Sequence, residues 1–114
     1  MEYGDYINIH LTDPVERLWG RLIRLSNAGV IMRGIDVKEI EAFKYQFRKQ
    51  EKEVFPQTAF FPMRRVQKMD IDEPLDQLPS VIEALVEATG KNADEIINLK
   101  AHSARMGQVI FPGD

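Results

Sequence analysis

Cysteine is absent from the 114 residues. That excludes disulfides, thiolate nucleophiles and zinc–thiolate centres, and it suits a reducing compartment such as the cytoplasm, the expected location. Histidine is scarce: His10 and His102 are the only two, and neither sits in an H-E-x-x-H or H-x-H spacing. There is no G-x-S-x-G, no P-loop and no G-x-G-x-x-G, so the motifs of acyl transfer, phosphate cradling and dinucleotide binding are missing. These patterns point to no catalytic residue, no metal and no cofactor, and the chain reads as non-enzymatic. No apolar run approaches the ~20 residues of a membrane helix. Met1-Glu2-Tyr3-Gly4-Asp5 has neither the basic nor the apolar part of a secretory signal. Internal repeats and low-complexity segments are also lacking.

Composition is otherwise ordinary, with 44% hydrophobic and 29% charged residues, which fits a single domain. The net charge of −3 hides an asymmetry. Residues 1–16 carry four acids and no base. Residues 17–68 carry twelve Lys/Arg against five Asp/Glu, a net of +7, and residues 69–114 carry three against nine, a net of −6. Such a split marks either an anion-binding half or a solvated face paired with the acidic half.

Five segments have the pattern of strands. From Tyr6 to Thr12 the apolar Ile7, Ile9 and Leu11 alternate with Asn8, His10 and Thr12, as in a half-buried strand. Asp13-Pro14 ends it. Glu16 to Ser26 is apolar on both faces, as where a strand bends. Trp19, Arg21, Ile23 and Leu25 share one face, and Leu18, Gly20, Leu22 and Arg24 the other. Gly20 is the candidate for a bend or a close backbone approach. Asn27 and Gly29 supply positive φ for a turn, and Val30 to Ile35 returns as the third strand. Thr58 to Phe61, one tight turn at Met63-Arg64-Arg65, and Val66 to Asp72 give the last two.

Helical spacing appears between and after these strands. Asp36 reads as an N-cap with Glu39 three residues on, and Val37, Ile40, Phe43 and Phe47 mark one helix face up to Lys49. Lys44, Arg48, Lys49 and Lys52 suit its C-terminal end. Pro79 suits a first helical turn, Val81, Ile82, Leu85 and Val86 form a stripe, and Gly90 stops it. Asn92 with Glu95 caps a further helix, expected to reach about Ala104. The tail Gln108 to Gly113 is apolar for a terminus; the alternatives are a frayed end or an added strand on a sheet edge of its own or a neighbouring subunit. The acids Asp70, Asp72, Glu73 and Asp76 read as a guarded edge and a solvated linker, because no glycine offers the sharp loop of a calcium site.

The best functional lead is basic. Arg17, Arg21, Arg24 and Arg33 lie on or beside the central hairpin, and Arg64, Arg65 and Lys68 lie at the later corner. Arginine forks bind phosphate, and Trp19, Phe60 or Phe61 would stack a base if exposed. Affinity of such a set for RNA would fall steeply with salt. The bland counterpart is a set of surface pairs around core aromatics.

The order strand, bent Gly-containing strand, strand, then Phe60-Phe61-Pro62-Met63-Arg64-Arg65-Val66-Gln67-Lys68-Met69-Asp70-Ile71 as strand, turn and strand resembles an Sm-like or SH3-like small barrel over about residues 5–73. The resemblance implies five strands, ring-like oligomers joined through edge strands, and RNA binding in some members. The insert at 37–49 departs from that pattern. A second stretch, Arg21 to Gly29, is similar to the Asp/Asn-x-Ser-x-x-Gly element of PilZ domains, with Arg24 in place of the acid or amide. That likeness implies cyclic di-GMP at Arg17, Arg21, Ser26 and Gly29. The expected protein is thus α+β. Residues 1–73 form a small, strongly bent five-stranded β-barrel with an inserted helix, and residues 74–114 add C-terminal helices to the same domain. It is read as a homo-oligomeric binding or assembly module, with RNA or a nucleotide as candidate ligand; a purely structural adaptor is the third reading.

Overall fold

The computed structural model describes residues 1–49 and 54–98. Five strands form one antiparallel sheet: β1 (Tyr6–Leu11), β2 (Glu16–Leu25), β3 (Gly29–Asp36), β4 (Gln57–Pro62) and β5 (Val66–Ile71). The spatial order is β4-β3-β2-β1-β5. A short 3-10 turn, Val37–Glu39, leads into α1 (Ile40–Lys49), and α2 (Val81–Thr89) and α3 (Ala93–Ile97) follow the sheet. Every strand and the tight 3-10 turn at Met63–Arg65 fall where the sequence pattern predicts them. None of the described helices is long and apolar enough to cross a membrane.

The sheet is not closed into a barrel. β4 and β5 are its two edges and are not hydrogen-bonded to one another. It is nevertheless strongly curled, and the chain shows why. A flat five-stranded sheet holds its edges about 19 Å apart. Only Met63–Arg65 separates the two edge strands in sequence, and the four steps from Pro62 to Val66 reach at most about 14 Å. The sheet must roll up for so short a link to join its edges.

Rolling gives the sheet two apolar faces. Ile7, Ile9, Leu11, Leu22, Val30 and Met32 are buried together, with Leu18, Phe61, Val66 and Met69 against them. All five strands contribute and no helix does, so this is the inside of the curl. The opposite face carries Trp19, Ile23, Ile31 and Ile35 and is covered by Phe43 of α1, Val54, Leu85 of α2 and Ile96 and Ile97 of α3. The C-terminal helices therefore share a core with the sheet. Burying Ile7, Ile9 and Leu11 stabilises by roughly 1.5–3 kcal/mol each. A one-residue slip of β1 would turn all three outward, which fixes the register.

Two features bend β2. A Cβ on Gly20 would lie 2.2 Å from the Arg33 carbonyl oxygen, and one on Gly34 would lie 2.0 Å from that of Trp19. The two glycines face each other across β2 and β3, so the close approach expected of Gly20 is real and is shared. The register then shifts between Leu22 and Arg24. Ile23 is the extra residue, and it turns into the helix-covered core.

The β2–β3 turn differs from expectation. Neither Asn27 nor Gly29 has a positive φ. The Ser26 N–H donates to the Gly29 carbonyl at 3.0 Å, and the Ala28 N–H donates to Ser26 Oγ at 3.2 Å. Gly29 is needed for space instead, since a Cβ there would meet the Phe61 carbonyl oxygen at 2.2 Å.

The helix starts are each capped by side chains. The Asp36 carboxylate accepts the Lys38 N–H at 2.8 Å, and the first turn after it is 3-10. Pro79 lies just outside α2. Ser80 is the N-cap, in a reciprocal box with Glu83, and these bonds hold the Glu83 carboxyl below its ordinary range. Gly90 ends α2 at φ 71°. Asn92 caps α3, which ends at Ile97 where Asn98 turns to φ 59°. The expected continuation to Ala104, the tail 108–113 and Lys52 lie outside the described residues.

Candidate functional site

The seven basic residues singled out from the sequence fall into two groups. Three tie separate segments of the chain together. Arg33, on β3, is buried; its Nε donates to the Ile97 carbonyl at 2.6 Å and its Nη1 to Thr58 Oγ1 at 3.1 Å. It ties the end of α3 to the β3–β4 pair. Arg65 donates to the carbonyls of Thr12 (3.0 Å) and Pro14 (2.9 Å) and to Glu16 Oε1 (2.9 Å). It ties the short turn between β4 and β5 to the β1–β2 turn. Arg21 pairs with Asp94 at the start of α3 and lies 5.9 Å and 5.7 Å from the rings of Tyr3 and Tyr6.

The other four are Arg17, Arg24, Arg64 and Lys68, all exposed. The register gathers two of them. His10 of β1 lies between Arg17 of β2 and Lys68 of β5, which puts Arg17 and Lys68 about 10 Å apart across the strands. Arg64 belongs to the Met63–Arg65 turn, which Arg65 anchors beside the β1–β2 turn and thus at the same corner. Arg24 is near the far end of β2, opposite Ile31. Asp70 tempers the row, lying 3.6 Å from Lys68 and 3.8 Å from His10.

The aromatic half of the nucleic-acid pattern is internal. Trp19 has no exposed surface and stacks on Tyr6, with centroids 5.5 Å apart, so it is not placed to stack a base. Phe60 and Phe61 pack against the two cores. Burial raises the Tyr6 phenol above its ordinary pKa, against the opposing pull of Arg21. Of the residues in the PilZ-like stretch, Arg21 is held by Asp94 and Ser26 by its own turn.

A cleft of about 350 Å³ opens at the inner mouth of the curl. Leu18, Met32, Ala59 and Phe61 form its floor, and Glu16, Asp36 and Glu39 its rim. An acid-rimmed apolar cleft disfavours a phosphate, and it lies on the other face of the sheet from the Arg17–His10–Lys68 row. Among the described residues no cluster of three His, Asp or Glu could hold a metal ion.

Sequence reasoning missed the role of Asp72. It reads as an acid closing the last strand, part of a guarded edge, but its carboxylate accepts Trp19 Nε1–H at 3.0 Å and the N–H groups of Val81 (2.9 Å) and Ile82 (3.0 Å). One acid thus satisfies the buried indole and the first two amides of α2, while Ser80 takes the third. Capping signals are local in sequence, and this cap acts across nine residues, so no short motif announces it.

β5 pairs with β1 on one side, and β4 with β3 on one side; their other sides meet no strand among the described residues. No protein-family model, curated protein or solved structure matches the chain.

Proposed function

We propose that the chain is a non-enzymatic assembly module: a small, open barrel of SH3- or Sm-like strand order that associates with copies of itself through a free strand edge. The observation that carries this is the pair of unpaired edge strands on one curled sheet. An open edge is a row of unused N–H and C=O groups and a ready template for another strand. The short link across the curl and the all-strand inner core support the barrel reading. Sedimentation velocity from about 1 to 200 µM tests it. A mass that rises with concentration is expected, and a strict monomer over that range overturns it.

A second reading, contact with RNA, is favoured by the Arg17–His10–Lys68 row with Arg64 beside it. It predicts binding to single-stranded RNA at low salt that is lost as salt rises, with a slope set by the few phosphates contacted. Filter binding that shows no salt-sensitive retention counts against it.

A further inference from the structure

The β5 edge carries a charge pattern that fits itself in reverse. Lys68 and Asp70 flank Met69 with opposite signs, and both are substantially exposed. The direction of the backbone groups follows from one bond. The Asp72 N–H donates to the Tyr6 carbonyl of the neighbouring chain segment at 2.8 Å. Alternation along an antiparallel ladder then turns Asp70 and Lys68 toward β1 as well, and turns the amides of Met69 and Ile71 away from the sheet.

From these two facts we infer that β5 is a two-fold docking edge whose occupant is β5 of a second copy, antiparallel and centred on Met69. This rests on the assembly reading above and specifies its contact. A two-fold antiparallel pair must set outward-facing residues opposite one another, so its centre is limited to a few positions. Centring on Met69 places Met69 opposite its own equivalent, where the two exchange both backbone bonds. It also places Lys68 of each copy opposite Asp70 of the other.

The competing centres are worse. Centring on Lys68 or on Asp70 sets that residue against its own like charge. Centring on Ile71 sets Asp70 against Asp72. Like charges directly opposite are unfavourable and opposite ones favourable, so the charges select the Met69 register. The bulge that displaces Gln67, between the β1 partners of Lys68 and Val66, ends the regular ladder. It keeps the contact short and the association modest.

Charge exchange on the full chain tests this by sedimentation equilibrium and native mass spectrometry. Lys68→Glu sets Glu opposite Asp70 twice in each dimer, and Asp70→Lys sets Lys opposite Lys68 twice. Each variant alone is expected to raise the dimer Kd by about tenfold or more. The double variant K68E/D70K restores opposite pairs and is expected to return to near the wild-type Kd. Mixing the two single variants should yield a heterodimer more stable than either homodimer. If the wild type associates but the single variants do so equally well, another surface carries the contact: this inference falls and the assembly reading stands. If the wild type is monomeric throughout, both fall. If RNA binding drops in Lys68→Glu while the dimer Kd is unchanged, Lys68 serves RNA and the inference is overturned.

Discussion

Replacing Asp72 by alanine removes three hydrogen bonds at once. Trp19 is fully buried, and its orphaned indole N–H would cost about 1–3 kcal/mol. The first two amides of α2, which Asp72 accepts from Val81 and Ile82, would turn to water or go unmet. Their loss resembles loss of a helix cap, about 0.5–2 kcal/mol. A negative charge at the helix start would also go, worth roughly 0.3–1 kcal/mol. Together we expect about 2–6 kcal/mol of lost stability from a single exposed-looking acid at the end of the last strand. Trp19 is the only tryptophan, so its fluorescence in urea reports the transition directly. With a slope of about 1–3 kcal/mol/M, the midpoint should fall by roughly 0.7 M or more. Asp72→Asn keeps one acceptor and should fall between. Glu73→Ala, an exposed neighbour, should stay within about 0.5 kcal/mol. An Asp72→Ala midpoint matching that of Glu73→Ala would refute the reasoning.

Gly20→Ala and Gly34→Ala should each destabilise by about 1–3 kcal/mol or more, because both new methyls meet backbone rather than movable side chains; thermal unfolding checks this. Arg33→Ala should leave the Ile97 carbonyl unmet and speed amide exchange in α3, with little change in β1, as read by exchange mass spectrometry. Tyr6 should ionise above the ordinary phenol range in ultraviolet absorbance. Its folded pKa is raised, so its contribution to stability is complete below the ordinary value of 10.0. The contribution is lost as pH climbs through the folded value, and Tyr6→Phe should remove that alkaline loss.

Strand positions were legible because β1 alternates strictly and because Pro14, Pro62 and the Met63–Arg65 step punctuate the chain. Two helix starts were legible from Asp36 and from Asn92 with Glu95; for α2 the sequence reading rested on Pro79, one residue before the Ser80 cap that the structure shows. The fate of the arginines was not legible. Arg33 and Lys68 are both basic residues on strands, yet one is buried against Ile97 and the other lies in solvent. What separates them is the placement of α3, a contact across 64 residues. Charge counting cannot weigh such contacts, so the sequence leaves one anion-binding patch and a set of pairs both open, whereas three of the seven named residues are internal ties. Barrel closure was equally hidden, since it depends on whether β4 reaches β5 in space and not on the pattern of either strand.

The strand order also sets a timetable for folding. β1, β2 and β3 form a meander whose neighbours follow one another along the chain, so their loops close early and at small entropic loss. β5 has to find β1 from far away: Ile7 pairs with Ile71, across the whole of the inserted helix and β4. Non-local pairing of this kind slows folding and tends to be completed late. One of the two open-edged strands is then the last to join the sheet. Changes confined to β5 should quicken unfolding more than they retard folding, and a partner that covers its edge would act chiefly by keeping the finished sheet from reopening.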